Sequence, residues 1–176
     1  MTSRATLDLR DRVRDVPDFP KPGIVFKDLM PLVADAVYFH ETLDRLEELA
    51  RPKRPDIILG AEARGFIFGG ALADRLGCGF VPARKPGKLP WDTVEATYAL
   101  EYGTDRLQVH ADAIPSGSRV IVHDDVLATG GTAKAKTELV ERLGGEVVGL
   151  LFVIELAFLS GRDKLAGYDV DSLISY

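Results

Sequence analysis

Apolar positions along the chain follow two rhythms that take turns. Continuous runs at Ile57-Ile58-Leu59, Phe80-Val81, Val120-Ile121-Val122 and across 146–154 read as short strands buried on both faces. Between them the spacing changes to three and four, at Phe39, Leu43, Leu46 and Ala50, again over 66–76, and at Ala135, Leu139, Val140 and Leu143. These are amphipathic helices. Asp35 caps the first, which Pro52 and Pro55 end, while Gly77 and Gly144-Gly145 stop the other two. Strand–helix–strand alternation predicts an α/β domain with a central, mostly parallel sheet flanked by helices on both faces. A two-residue rhythm appears over 97–109, with Tyr98, Leu100 and Tyr102 on one side, Glu101 on the other and a turn at Gly103-Thr104. A β-hairpin is expected there. Upstream, residues 6–16 read as a short charged helix carried by Leu7, Leu9 and Val13. The Pro-rich stretch 15–31 reads as a rigid irregular loop whose Phe19, Val25 and Phe26 need apolar cover. A last strand is expected at 172–175.

Composition narrows the class. With 176 residues, 46% hydrophobic and 28% charged, the chain has the balance of one water-soluble domain with a buried core. Its net charge of −5 counts against a sequence-independent nucleic-acid binder, which carries a basic face. No apolar run approaches the roughly 20 residues that span a bilayer, and residues 1–14 lack the apolar centre of a signal peptide. One cysteine, Cys78, leaves no internal disulfide, and three histidines beside it supply too few ligands for a structural zinc site. The expectation is a cytoplasmic protein with neither nucleic acid nor membrane as partner.

The chemistry concentrates in residues 119–132. Here a buried strand ends on adjacent carboxylates, Asp124 and Asp125, and runs through a small-residue turn, Ala128-Thr129-Gly130-Gly131-Thr132, into a helix. Free N–H groups at such a turn and the positive end of the helix dipole form an anion site. Thr129 and Thr132 add hydroxyl donors, and no lysine follows the glycines, so this is not a Walker loop. Two carboxylates beside a phosphate nest would repel a bare phosphate. A sugar phosphate resolves the conflict, with its phosphate in the nest and its ribose hydroxyls, or a magnesium ion it carries, at the acids. Arg84-Lys85-Pro-Gly-Lys88 forms a basic loop at the end of another strand, where open α/β sheets bind ligands, and Arg64 lies in the turn after the strand before it. A planar guanidinium suits phosphate oxygens taken in pairs. His123 reads as a strand-end side chain facing solvent or a neighbour.

Several blocks together resemble the type I purine phosphoribosyltransferases, in their adenine branch: Asp18-Phe-Pro-Lys-Pro-Gly-Ile-Val-Phe-Lys-Asp28, Glu62-Ala-Arg-Gly-Phe66, Arg84-Lys-Pro-Gly-Lys-Leu-Pro90, Tyr98-Ala-Leu-Glu-Tyr-Gly103, Asp124-Asp-Val-Leu-Ala-Thr-Gly-Gly-Thr132 and Glu155-Leu156. The resemblance runs from about Asp18 to Tyr176. It implies one domain over 1–176, with a Pro-rich hood at about 1–34 and a hairpin lid at about 90–110. The implied reaction moves a 5-phosphoribosyl group from phosphoribosyl pyrophosphate to N9 of adenine, giving AMP and pyrophosphate. Magnesium (Mg2+) is implied as a substrate-borne cofactor with no direct protein ligand, and a homodimer as the assembly. By the same likeness Ala128 to Thr132 hold the 5′-phosphate and Asp124 and Asp125 meet the ribose hydroxyls. Arg64, Arg84, Lys85 and Lys88 meet the pyrophosphate, and a non-proline cis peptide is expected at Glu62–Ala63. Val25 and Lys27 would read adenine through backbone groups, Phe26 and Leu156 would pack on its ring, and Glu101 would act as acid/base. The alternatives are a transferase for an oxopurine and a non-catalytic regulator that senses phosphoribosyl pyrophosphate on the same fold. Regulators of that kind tend to carry an added DNA-binding domain or a basic face, and the charge of −5 and the length of the chain count against both.

Overall fold

Where a helix is expected over 6–16, the computed structural model has a single 3-10 turn, Leu9–Arg12, followed by a strand. The structure describes residues 7–99 and 104–176. By packing the chain divides into two units, 1–45 and 46–176. In the first, β1 (Arg14–Pro17) pairs antiparallel with β2 (Val25–Asp28), Arg14 opposite Asp28 and Pro17 opposite Val25. A lone eleven-residue charged helix is marginal in water. Pairing satisfies the same backbone and sets opposite charges across the ribbon: Arg14 Nη2 lies 2.6 Å from Asp28 Oδ2 and Lys27 Nζ 2.7 Å from Asp15 Oδ1. The Pro-rich stretch is irregular only between the strands, where the Phe19–Pro20 bond is cis and Asp18 Oδ1 accepts from Gly23 N at 2.8 Å. Phe19 meets Phe26 edge to face at 5.1 Å. Two helices follow, α1 (Met30–Ala34) and α2 (Ala36–Ala50). Asp35 caps the second as expected, its Oδ1 accepting from Val37 N at 3.0 Å.

The second unit holds the sheet. Its elements are β3 (Ile57–Ala61), α3 (Arg64–Leu76), β4 (Gly79–Ala83), the hairpin β5 (Thr93–Ala99) and β6 (Thr104–His110), then β7 (Arg119–Leu127), α4 (Gly131–Arg142), β8 (Glu146–Glu155) and β9 (Val170–Ser175). Five strands form one parallel sheet in the order β4-β3-β7-β8-β9. On one face Ile57, Leu59, Val120, Val122, Leu150 and Phe152 join a buried cluster with Ala135, Leu139 and Val140 of α4 and Leu107 and Val109 of the hairpin. Alternation along the strands sends Ile58, Ile121 and His123 to the other face, all fully buried, where Phe68 of α3 lies against His123 at 6.3 Å. Helices therefore cover both faces, as the alternating rhythm predicts.

Some boundaries differ from the expected ones. The hairpin arm begins at Thr93 rather than 97, because Ala96 is buried against the core cluster and carries the pairing upstream. β7 does not end on the acids; it runs on to Leu127, paired with β8 through Leu127 opposite Glu155. Strand order decides where a ligand can go. From β3 the chain leaves to one side for β4 and returns to the other side for β7, so a crevice opens beyond the carboxyl ends of β3 and β7.

Candidate functional site

Those two carboxyl ends deliver the residues singled out in the sequence. β3 leads into Glu62, Ala63 and Arg64, with the Glu62–Ala63 peptide cis as expected. β7 leads through Asp124 and Asp125 to the turn 128–132, where α4 begins at Gly131 with no side chain capping its first turn. Its leading N–H groups are thus left for a ligand. Asp124, Val126, residues 127–133 and Phe152 line a cavity of about 80 Å³. Gly130 is in the left-handed region at φ 77°, and a Cβ there would run into the Gly161 carbonyl. Only glycine lets the loop pass this close to the neighbouring 3-10 turn Gly161–Leu165.

The acids do not sit alike. Asp124 is partly exposed on the cavity wall, whereas Asp125 is almost completely buried and ion-paired with Arg64, Nε to Oδ2 at 2.7 Å. Burial pushes the Asp125 carboxyl up to about 7, the Asp124 charge adds to the rise, and Arg64 opposes it. His123 is buried against Phe68, so the solvent-facing alternative for it fails. Burial lowers its imidazole to about 4 and leaves it neutral.

The cations expected at a pyrophosphate each have an acidic neighbour, apart from Lys88. Arg64, the first residue of α3, is on Asp125. Arg84 pairs with Glu62, and its Nη1 donates to the Lys88 carbonyl at 3.1 Å, which ties the basic loop to the turn after β3. Lys85 Nζ meets Asp105 Oδ2 of the hairpin at 2.9 Å, and this contact lowers the Asp105 carboxyl. Tyr98 completes the bridge, donating to the same oxygen at 3.3 Å. Lys88 is exposed at the tip.

Leu156 is half-buried just past β8, its N–H donating to the Leu127 carbonyl at 2.9 Å, so it borders the phosphate turn. The residue before it is anchored: Glu155 takes both Nε and Nη2 of Arg162 at 2.7 Å and the Ser172 hydroxyl at 2.8 Å, and Arg162 lowers its carboxyl. In the first unit Val25 is half exposed, Phe26 packs on Phe19, and the Lys27 side chain is spent on Asp15. Glu101, with Leu100 and Tyr102, lies outside the described residues.

Sequence reasoning passed over Lys136. It is fully buried on α4, its Nζ 2.8 Å from Asp124 Oδ2 and 2.7 Å from the His123 carbonyl. A signal was there: Lys136 falls on the same helical face as Leu139, Val140 and Leu143, where a lysine at a core position demands a partner.

Known proteins agree with this geometry. A family model described as the phosphoribosyl transferase domain matches residues 43–173. The adenine phosphoribosyltransferase of Rubrobacter xylanophilus is 57% identical, over 100% of this chain and 96% of its own length. Among solved structures, the adenine phosphoribosyltransferase of Thermoanaerobacter pseudethanolicus superposes with a TM-score of 0.94 at 52% identity, over 96% of this chain and 98% of that one. The Saccharomyces cerevisiae enzyme, complexed with an imino-altritol bisphosphate and adenine, gives 0.88 at 44% identity, over 94% and 96%. A parallel sheet carrying an acid pair and a capless helix at its switch point, with identity at this level along the whole chain, places the protein in the phosphoribosyl transferase family and, within it, among the adenine phosphoribosyltransferases.

Proposed function

We propose that the chain transfers the 5-phosphoribosyl group of phosphoribosyl pyrophosphate to N9 of adenine, releasing AMP and pyrophosphate for purine salvage. The observation that carries this is the cavity of 127–133. It joins an uncapped helix start, which takes a phosphate, to an acid pair that can accept hydrogen bonds from a sugar. Ala128 to Thr132 hold the 5′-phosphate in this reading, and Asp124 and Asp125 meet the ribose hydroxyls. Arg64, Arg84, Lys85 and Lys88 take the pyrophosphate. Val25, Phe26 and Lys27, in a hood at about 1–34, are assigned to adenine together with Leu156, and a hairpin at about 90–110 is assigned as the lid.

Breaking the bond between C1′ and pyrophosphate leaves positive charge on the sugar and negative charge on the leaving group. Carboxylates at the ribose and cations at the pyrophosphate stand where each charge develops. Glu101 takes the N9 proton as the new bond forms, and the lid excludes water that would otherwise attack the activated sugar. Asp124 and Asp125 are already held by Lys136 and Arg64, so this donor set fits a magnesium ion that arrives with the substrate rather than a resident one. Bound to pyrophosphate, the ion would neutralise the leaving group. The family likeness also supports a homodimer working in the cytoplasm.

The test is to incubate the protein with magnesium, phosphoribosyl pyrophosphate and one base at a time: adenine, hypoxanthine, guanine, xanthine or orotate. Nucleotide from adenine alone is the expected result. Turnover of an oxopurine instead would overturn the base assignment, and tight substrate binding without turnover of any base would point to a sensor.

A further inference from the structure

Among the described residues Lys136 is the only fully buried lysine. An ammonium taken out of water is costly unless its surroundings answer its charge and its donors. Here the answer comes from the strand that carries the acid pair. Nζ donates to the His123 carbonyl at 2.7 Å and to Asp124 Oδ2 at 2.8 Å. The other carboxylate oxygen, Oδ1, accepts from Asp125 N at 3.0 Å, and a Cβ added at Gly65 would come within 2.9 Å of it. Asp124 is therefore gripped on both sides, by α4 through Lys136 and by its own strand. The start of α3 stays bare at Gly65 to leave it room. Each oxygen keeps a lone pair, and the group stands on the wall of the phosphate cavity.

We propose that Lys136 is a positioning residue for sugar recognition, holding Asp124 as an oriented carboxylate so that a ribose hydroxyl meets an acceptor already aimed. This rests on the phosphoribosyl reading of the site. Lys136 touches no reacting atom; it acts through Asp124. An acceptor free to rotate would have to be ordered at each binding event, a cost that preorganisation removes. Asp125 feels the same cation. The groups that face it are Asp124, Arg64 and Lys136, and Lys136 lowers its carboxyl, so loss of the lysine would favour the protonated form of Asp125.

Calorimetric titration of phosphoribosyl pyrophosphate with magnesium into wild type, K136M, D124N and the double variant tests this, with AMP formation followed alongside. Methionine keeps the length of the buried stem without the charge. K136M is expected to weaken binding about tenfold, the scale of one charge-assisted contact. The KM for adenine should stay within about twofold at saturating phosphoribosyl pyrophosphate. Because Lys136 acts through Asp124, the double variant should bind within about twofold of D124N alone. The acid limb of binding should also move to higher pH in K136M. Binding by K136M within about twofold of wild type would overturn the proposal, as would penalties that multiply in the double variant. A purely structural lysine would lower the melting temperature without coupling to D124N. Should K136M fail to melt cooperatively, K136Q, which keeps donors but no charge, replaces it in the same cycle. Failure of wild type to form AMP would defeat the enzymatic reading and leave the binding cycle to judge Lys136 by itself.

Discussion

Gly130 gives the sharpest test of how the phosphate turn is held. In G130A two costs add. The backbone stands at φ 77°, a left-handed conformation that disfavours an L side chain by about 1–2 kcal/mol. The new methyl would also meet the Gly161 carbonyl, and that segment cannot retreat, because Gly161 is packed in turn against the Ala128 carbonyl. Overpacking against backbone adds about 1–3 kcal/mol. The sum, roughly 2–5 kcal/mol, lowers the melting temperature of a chain this size by about 2–4 °C for each kcal/mol, so by something near 10 °C. G70A is the control: Gly70 lies within α3 with open space where its Cβ would go, and alanine there should stabilise by about 0.5–1 kcal/mol. Thermal melts followed by circular dichroism read both. Phosphoribosyl pyrophosphate titration reads whether the turn still presents its N–H groups, with G130A expected to weaken binding at least tenfold. A G130A protein that melts within about 2 °C of wild type and binds normally would refute the claim that Gly130 seats the turn on Gly161.

Other consequences can be checked separately. E101Q should cut turnover by at least tenfold, since general acid–base catalysis contributes about 10²–10⁴; a drop below about threefold would remove Glu101 from proton transfer. Asp125 has a folded pKa of about 7 against 3.8 unfolded, so its contribution to stability is complete below about pH 4 and is lost as pH rises through 7. The stability difference between D125N and wild type, from urea titrations at pH 5 and pH 8, should therefore move in favour of D125N by up to about 1.4 kcal/mol per pH unit inside that window. A pH-independent difference would show that Asp125 ionises normally. R162M strips the fork from Glu155 and should destabilise by roughly 1.5–3 kcal/mol; unchanged stability would mean the pair is decorative.

The sheet and the phosphate turn were legible in the sequence because local chemistry fixes both. Strands buried on both faces have to be written as unbroken apolar runs, and a turn that must carry φ 77° beside another backbone has to be written with glycine. Residues 6–16 misled for the opposite reason. Their charges suit a helix surface, but pairing across the β1–β2 ribbon, with Arg14 on Asp28 and Lys27 on Asp15, is a contact between positions 12 to 14 residues apart that no local window contains. Lys136 was hidden in the same way. Its role exists only once α4 is laid over the end of β7, although its place among Leu139, Val140 and Leu143 marks it as out of keeping with its helix face.

The charges around the site share one further property. Arg64, Arg84 and Lys85, three cations that a pyrophosphate would want, lie against Asp125, Glu62 and Asp105. A chain of net charge −5 thus presents its ligand with neutral pairs instead of a bare positive patch, which would gather any polyanion. In the proposed reading, substrate binding is an exchange, with phosphate oxygens replacing carboxylate oxygens on the same donors. The exchange is easy at Lys85, whose side chain is 60% exposed and whose ion pair is screened by water. It is harder at Arg64, because Asp125 is buried and would lose its ion-pair partner. Asp125 can stay where it is only if the ligand brings hydrogen-bond donors to it in the same event. A ribose carrying a pyrophosphate supplies both halves of that exchange; free pyrophosphate supplies one. On the proposed assignment, the acid pair and the basic residues would therefore select for the two chemistries joined in one molecule.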